Sequence, residues 1–283
     1  MTRLVSIVLP TYNGERFIAE SIDSILKQTY DNWELIIVND CSTDGTIDVV
    51  ERYLSKDSRI RLINNARNMK LPSALNVGFE NSEGDYLTWT SDDNCYYPTA
   101  IEEMVNELER FKDVSLVYAD CDITNEVREI VDTAFLSKPE NIVLGNNIGA
   151  CFLYTREIFE KVGNYNPELF LAEDYDYWIR IYQNGNLRHI DKVLYACRRH
   201  EGSLTSTKKE SIKKQTLRTY LEHFVFLYYK AKCGRMKNKF LDNMISLAVD
   251  EQKEELIKYI KSIDSLFAIR LFWKSDKELF GKR

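Results

Sequence analysis

The chain of 283 residues predicts an α/β fold: a mostly parallel, twisted sheet with helices on both faces, followed by a helical C-terminal extension. Three observations predict it. Short apolar runs alternate with stretches of helical spacing through the first half, and each run ends in a loop of Asn, Asp, Gly or Thr. Beyond about residue 204 only helical spacing continues. Parallel strands need crossover connections, and those crossovers put helices over the sheet. Ligands in such folds bind beyond the carboxyl ends of strands, so the loops that follow strands are where function is to be sought.

Residues 5–9 are an apolar run, followed by Pro10, Thr11, Tyr12, Asn13 and Gly14, then by Ile18, Ile22, Ile25 and Leu26 at helical spacing. This reads as strand, loop and helix. Residues 35–38 form a second strand ending at Asn39 and Asp40, and residues 41–45 supply turn residues before Ile47, Val50 and Leu54. Residues 59–63 read as a third strand, 72–79 as a helix with Pro72 in its first turn, and 86–89 as a fourth strand. A strand is expected at 116–119, whereas 120–140 is polar and gives no element. Residues 146–154 lead into a helix over 156–162. Residues 173–182 make a helix with an acidic first turn, closed by Asn184 and Gly185. Helical spacing over 212–230, 240–249 and 253–274 completes the chain, with a boundary expected near Leu204 that separates 1–204 from 205–283.

A composition of 44% hydrophobic and 29% charged residues excludes a disordered or fibrous chain. The six cysteines stand singly, with no CxxC pair and no Cys/His cluster, which predicts reduced thiols and no zinc site. No apolar stretch approaches the roughly 20 residues of a membrane span, and the N-terminal run is too short for a signal peptide. A cytoplasmic protein is expected. The net charge of −6 divides into −14 over residues 1–204 and +8 over 205–283. An acidic body is a poor partner for nucleic acid phosphates, and none is expected to bind. In the basic tail, Leu266, Phe267, Ile269, Leu271, Phe272 and Trp273 lie among Arg270 and Lys274. That mixture suits either peripheral contact with the inner face of an anionic membrane or packing on the core or on a second subunit.

Three groups of acids carry the chemistry. Asp92 and Asp93 lie just beyond the fourth strand. Adjacent carboxylates repel unless a cation or hydrogen bonds neutralise them, so the pair is a candidate for Mg2+ or Mn2+, the other reading being a solvated turn. Asp40, two residues past the second strand, can accept from a base or ribose or can cap a turn. Glu173, Asp174 and Asp176 open a helix, where acids also favour the dipole. GxGxxG and P-loop patterns are absent, which argues against dinucleotide binding and P-loop phosphoryl transfer.

In combination these segments resemble the family 2 glycosyltransferases, inverting nucleotide-sugar enzymes of the GT-A fold, a Rossmann-like sheet. VSIVLPTYNGERFIAESIDSILKQTYDNWELIIVNDCSTDGT, residues 5–46, is similar to the family's nucleotide-binding start. GDYLTWTSDDN, residues 84–94, resembles its metal-binding DXD segment, and NYNPELFLAEDYDYWIRIYQNG, residues 164–185, its ED segment. Order and spacing agree over roughly residues 4–204. The resemblance implies that Pro10, Thr11, Asn13 and Glu15 line the nucleotide pocket and that Asp40 pairs with the base. It also implies that Asp92 contacts ribose or metal, that Asp93 holds the metal bridging the diphosphate, and that Asp174 is the catalytic base with Glu173 assisting in the acceptor pocket. His200, in CRRHEGS, sits where many relatives carry a late His near the metal or diphosphate; a surface or packing role is the other reading.

Two departures stand out. The first Asp of the DXD pattern falls at Ser91, which leaves metal ligation to Asp93 with Asp92, His200 and the donor. The basic residue often found before the Asn of the third helix is Leu75 here, and Lys70 is the nearby charge that could replace it. The QxxRW signature of processive polymerases is absent, which favours single-sugar addition. The resemblance thus implies a non-processive hexosyltransferase with Mn2+ or Mg2+ as cofactor and, on family precedent, a UDP-sugar donor. Its acceptor would be a saccharide or lipid-linked hydroxyl in surface polysaccharide, lipopolysaccharide or glycoconjugate synthesis. The rival readings are a nucleotidyltransferase, which needs a basic Gly-rich first loop where this chain has PTYNGE, and a non-catalytic nucleotide-sugar-binding protein.

Overall fold

A computed structural model describes residues 2–248 and 250–263. The amphipathic tail segment, Leu266 to Trp273, lies outside the described residues. In chain order the elements are β1 (Val5–Thr11), α1 (Ile18–Leu26), β2 (Trp33–Asn39), α2 (Thr46–Leu54), β3 (Ile60–Asn64), α3 (Leu71–Glu80), β4 (Tyr86–Trp89), β5 (Cys95–Tyr96), α4 (Ala100–Arg110), β6 (Val114–Thr124), β7 (Ile130–Ala134), β8 (Cys151–Thr155), α5 (Arg156–Val162), α6 (Glu173–Asn184), β9 (Asn186–Arg198), α7 (Leu204–Thr207), α8 (Lys209–Glu222), α9 (Phe224–Lys230), α10 (Gly234–Leu247) and α11 (Asp250–Ile263). Short 3-10 turns cover Pro139–Leu144 and Pro167–Leu169.

The sheet runs in the order β3-β2-β1-β4-β8-β6-β9-β5, with β7 paired to β6. β3, β2, β1 and β4 are mutually parallel, as the alternation of apolar runs and helices requires. β8 then runs antiparallel to both β4 and β6, and β9 returns parallel to β6. Strand residues alternate between two cores. Val8, Ile36, Val38, Leu116, Tyr118, Phe152 and Tyr154 face one, while Ile7, Leu9, Leu35, Ile37, Val117, Cys151 and Leu153 face the other. Helices α1, α2 and α4 cover the second face through Ile22, Val50 and Met104. Both faces being buried explains why these strands read as unbroken apolar runs.

The first core is built from aromatic rings. Phe152 lies 4.4 Å from Trp178, and Tyr165 stacks on Tyr177 at 3.8 Å. Tyr220, Phe224, Leu227, Phe240, Met244 and Ile260 of the C-terminal helices join this same cluster, so α8 to α11 share the core of α6. Asp176, on the buried face of α6, locks that contact: its Oδ2 takes Arg180 Nε at 2.9 Å and its Oδ1 lies 2.7 Å from His223 Nε2. A carboxylate 3% exposed requires such partners, because an unpaired buried charge is costly.

The structure departs from the sequence expectation at several elements: β5 and α4 lie where nothing was read, and α10 begins at Gly234, ahead of the expected start at 240. β9 is a strand of 13 residues where none was read. Its pairing with β6 shifts register around Ala119, Asp120 and Cys121, so its polar and apolar residues lose the period of two. The polar stretch 120–140 holds the end of β6 and the edge strand β7. Buried Asp120 and Asp122 are paid for by hydrogen bonds, and β7 is exposed along most of its length. The helical stretch 212–230 is two helices that meet at His223.

Candidate functional site

β1 and β4 are parallel neighbours, with Val8 opposite Trp89, so the loops that follow them leave one edge of the sheet together. Thr11, the last residue of β1, donates from Oγ1 to Asp92 Oδ2 at 2.5 Å. Gly14 closes over this bond; a Cβ there would stand 2.2 Å from Asp92 Oδ2 and 2.6 Å from Thr11 Oγ1, which only glycine avoids. Asp93 is turned towards His200, whose Nε2 is 3.0 Å from its Oδ2, while Asp93 Oδ1 is buried with no partner. Burial pushes the Asp92 carboxyl up to about 7, opposed by the Thr11 hydroxyl and reinforced by the Asp93 charge.

Two adjacent carboxylates, one with an orphaned buried oxygen, beside an imidazole, fit the donor preferences of Mn2+ and Mg2+. Among the described residues no group of three or more His, Cys, Asp or Glu side chains is arranged to hold a metal by itself. A cation here would therefore draw on oxygens of a bound ligand as well.

His200 packs on Phe17, ring centroids 5.0 Å apart, and the Arg198 guanidinium lies 4.3 Å from the same ring. Arg198 is buried, pairs with Glu20 at 2.7 Å and donates its backbone N–H to Asn94 at 2.8 Å. Sequence reasoning missed Arg198, Glu20 and Asn94; their proximity depends on β9, which carried no readable period. Beyond His200 an open pocket of about 480 Å³ is lined by Asn125, Glu126, Val127, Arg199, Glu201 and Ser206.

Pro10 is buried in β1 opposite Val38. Asn13 and Glu15 point across to the loop after β2. Asn13 Oδ1 accepts from Thr43 N at 2.8 Å, and Glu15 Oε2 accepts from Gly45 N at 3.0 Å. Both side chains thus join the first two loops to each other. Asp40, buried at the end of β2, accepts from Asn65 Nδ2 and Met69 N at 2.8 Å each and from Lys70 N at 2.9 Å. The Lys70 side chain is exposed at the start of α3. Asn13, Cys41 and Lys70, one in each of these loops, hold positive φ values of 57°, 65° and 69°. Backbone strain of this kind, about 1–3 kcal/mol per residue, concentrates at functional loops.

The third acidic group reaches the same edge by another route. β8 is antiparallel to β4, with Leu87 opposite Tyr154, so the chain enters β8 from the edge where β4 ends. Asn146, in the loop before β8, donates from Nδ2 to Asp174 Oδ2 at 2.7 Å, and Tyr175 N donates to Asp174 Oδ1 at 2.7 Å. Glu173 Oε2 accepts from Leu171 N at 2.6 Å. Tyr165 links the two halves of the edge: its hydroxyl accepts from Trp89 Nε1 at 3.1 Å, and burial raises its pKa, with the Asp174 charge adding a smaller push. Among the described residues no hydrogen bond or ion pair joins Asp174 directly to Asp92, Asp93 or His200. Burial pushes the Glu173 carboxyl up to about 8, with the Asp174 charge adding to it. Asp174 is also raised by burial, against the donors Tyr175 N and Asn146. Burial thus pushes both carboxyls of the pair towards their neutral forms, and at Asp174 the two donors oppose that shift.

Residues 6–163 match the model of the family named glycosyl transferase family 2. An uncharacterized glycosyltransferase of Rickettsia prowazekii is 33% identical over 72% of this chain, and the match spans 66% of that relative's length. The putative glycosyltransferase EpsE of Bacillus subtilis is 30% identical over 82% of this chain and 83% of its own. Among solved structures, S. aureus TarS 1-349 in complex with UDP-GlcNAc superposes with a TM-score of 0.70 at 18% identity, covering 93% of this chain and 82% of that one. The mannosyltransferase PcManGT from Pyrobaculum calidifontis, in complex with GDP-Man and Mn2+, gives 0.62 at 17%, covering 99% and 81%. These likenesses establish the GT-A fold.

Glu173 provides a test of the acidic pair. Its folded pKa of about 8 exceeds the ordinary 4.5, so its contribution to stability is complete below about pH 4.5 and is lost as pH rises through about 8. Glu173→Gln keeps the shape without the titration. Thermal unfolding should therefore show this variant gaining on the parent protein with rising pH across that window; parallel curves would remove the buried proton from Glu173.

Proposed function

Since the chain belongs to glycosyl transferase family 2, we propose that it transfers a single sugar, with inversion, from a UDP-sugar to a hydroxyl of a saccharide or lipid-linked acceptor in surface polysaccharide or glycoconjugate synthesis. The observation that carries this reading is the arrival of the Asp92–Asp93–His200 cluster, at the end of β4, and of the Glu173–Asp174 pair, beside the turn that enters β8, at one edge of the sheet.

Asp40 would receive the base of the donor. A carboxylate offers about four lone-pair sites, and three are taken by Asn65, Met69 and Lys70, which leaves one for a base N–H. Thr11, Asn13 and Glu15 hold the first loop in the shape that faces the nucleotide, with Pro10 at its root and the Lys70 side chain on its open flank. Asp93, with Asp92 and His200, would hold Mn2+ or Mg2+ together with the diphosphate oxygens. When bound, such an ion neutralises charge on the departing diphosphate.

Asp174 accepts the proton of the acceptor hydroxyl as its oxygen attacks the anomeric carbon from the face opposite the diphosphate. One base suffices in that geometry, by analogy with inverting glycoside hydrolysis. Glu173, beside it on α6, would assist in the acceptor pocket. Residues 1–204 would form the catalytic unit and 205–283 a helical subdomain, of which α8 to α11 share the core of α6. Among the described residues no helix is long and apolar enough to cross a membrane. Val225 and Tyr229 are exposed one turn apart on α9, in the basic part of the chain, which supports peripheral contact with an anionic bilayer.

Thermal-shift screening against UDP-, GDP- and dTDP-sugars with Mn2+ or Mg2+ identifies the donor. Asp174→Asn should then lower transfer by roughly a hundredfold to ten-thousandfold, the range for loss of a general base, with nucleotide binding intact; undiminished transfer refutes the assignment. Calorimetry of Asp93→Ala should show weakened donor binding and loss of its metal response; an unchanged titration removes Asp93 from the metal site. In flotation with phosphatidylglycerol vesicles, Val225→Glu with Tyr229→Glu should release the protein from the lipid fraction. Equal flotation of variant and parent would dismiss that surface.

A further inference from the structure

The turn before β8 runs Gly145-Asn146-Asn147-Ile148-Gly149, and the two glycines that bracket it hold positive φ values of 147° and 71°. Side chains rarely adopt that backbone, so the turn has a shape of its own. It is also anchored: Asn147 Nδ2 donates to Lys138 O at 2.8 Å and to Ser137 O at 3.2 Å. Asn146 stands at its start with Nδ2 directed at Asp174 Oδ2, 2.7 Å away, and its own Oδ1 accepting from Ile148 N at 3.4 Å.

We infer that Asn146 is the positioning residue of the proposed base, the side chain that aims the Asp174 carboxylate and favours its ionised form. The inference rests on Asp174 being that base. Burial favours a neutral Asp174, and the charged or titratable groups that face it, Glu173 on its own helix and Tyr165 from the preceding loop, bring no positive charge. Tyr175 N occupies Oδ1 from within the helix, and Asn146 occupies Oδ2 from the other side. An amide donates here without competing for the proton, which a lysine or protonated histidine would do. With one lone pair of each oxygen committed, the remaining lone pairs are held in a fixed direction.

Two measurements read this separately from the base assignment. Carboxyl 13C NMR of Asp174, which needs no donor or acceptor, should show a higher pKa in Asn146→Ala than in the parent. Turnover of the sugar nucleotide that stabilises the protein in the thermal-shift screen, with water as acceptor, should fall about tenfold to a hundredfold, as expected for a lost hydrogen bond to a charged group. The donor KM should stay unchanged, and the acid limb of the rate profile should move up by about one unit for each tenfold. An unmoved Asp174 pKa with parental turnover, in a background where Asp174→Asn is inactive, overturns the role of Asn146 and leaves the base reading standing. Activity in Asp174→Asn overturns both. If Asn146→Ala does not fold, Asn146→Leu, which fills about the same space without a donor or a charge, is read by the same criteria.

Discussion

The parallel pairing of β1 with both β2 and β4 is the constraint on which the rest of this molecule depends. Three strands pointing the same way deliver three loops to one edge. Those loops are not independent. Thr11 bonds to Asp92, Asn13 and Glu15 bond to the loop after β2, and Asp40 holds the backbone that leads into α3. Each polar side chain at the edge therefore serves first as a strut. Asp93 places its Oδ2 against His200, while its Oδ1 is buried without a hydrogen-bond partner.

The second half of the chain reverses direction to bring other residues to the same place. Because β8 runs against β4, the turn before it, rather than the one after it, faces the site. Asn146 and α6 meet there. The aromatic core around Trp178, Tyr177 and Tyr165 holds α6 in position, and the C-terminal helices complete that core from the far side. Asp176 couples the two through Arg180 and His223. The helix that carries Asp174 is thus held by residues on both sides of it in the chain, from Tyr165 to His223, and close apolar packing makes that hold rigid.

Much of the fold was legible where burial is two-sided. β4 falls at its expected bounds and β1 and β2 within two residues of them, because strands buried on both faces are continuously apolar, while α5 and α3 fall within one residue of theirs on helical spacing. The acids were legible as well, since charged residues directly after apolar runs stand out. β9 was not, for its register shifts against β6 and its alternation is lost. With β9 went Arg198 and its contacts to Glu20 and Asn94, and the position of His200 beside Asp93 remained a matter of family likeness.

The order of residues by itself determined which strands are apolar on both sides, where the chain turns, and which carboxylates sit at strand ends and at the start of α6. Those are local properties, set by period and turn chemistry within a few positions. Only the tertiary structure decided what each carboxylate meets. Thr11 for Asp92, His200 for Asp93, Met69 and Lys70 for Asp40, and Asn146 for Asp174 are partners brought together by strand pairing across 28 to 107 residues. The physical reason is that burial and hydrogen bonding of a charge depend on neighbours in space, and those neighbours are chosen by the global packing of the sheet and not by the adjacent sequence.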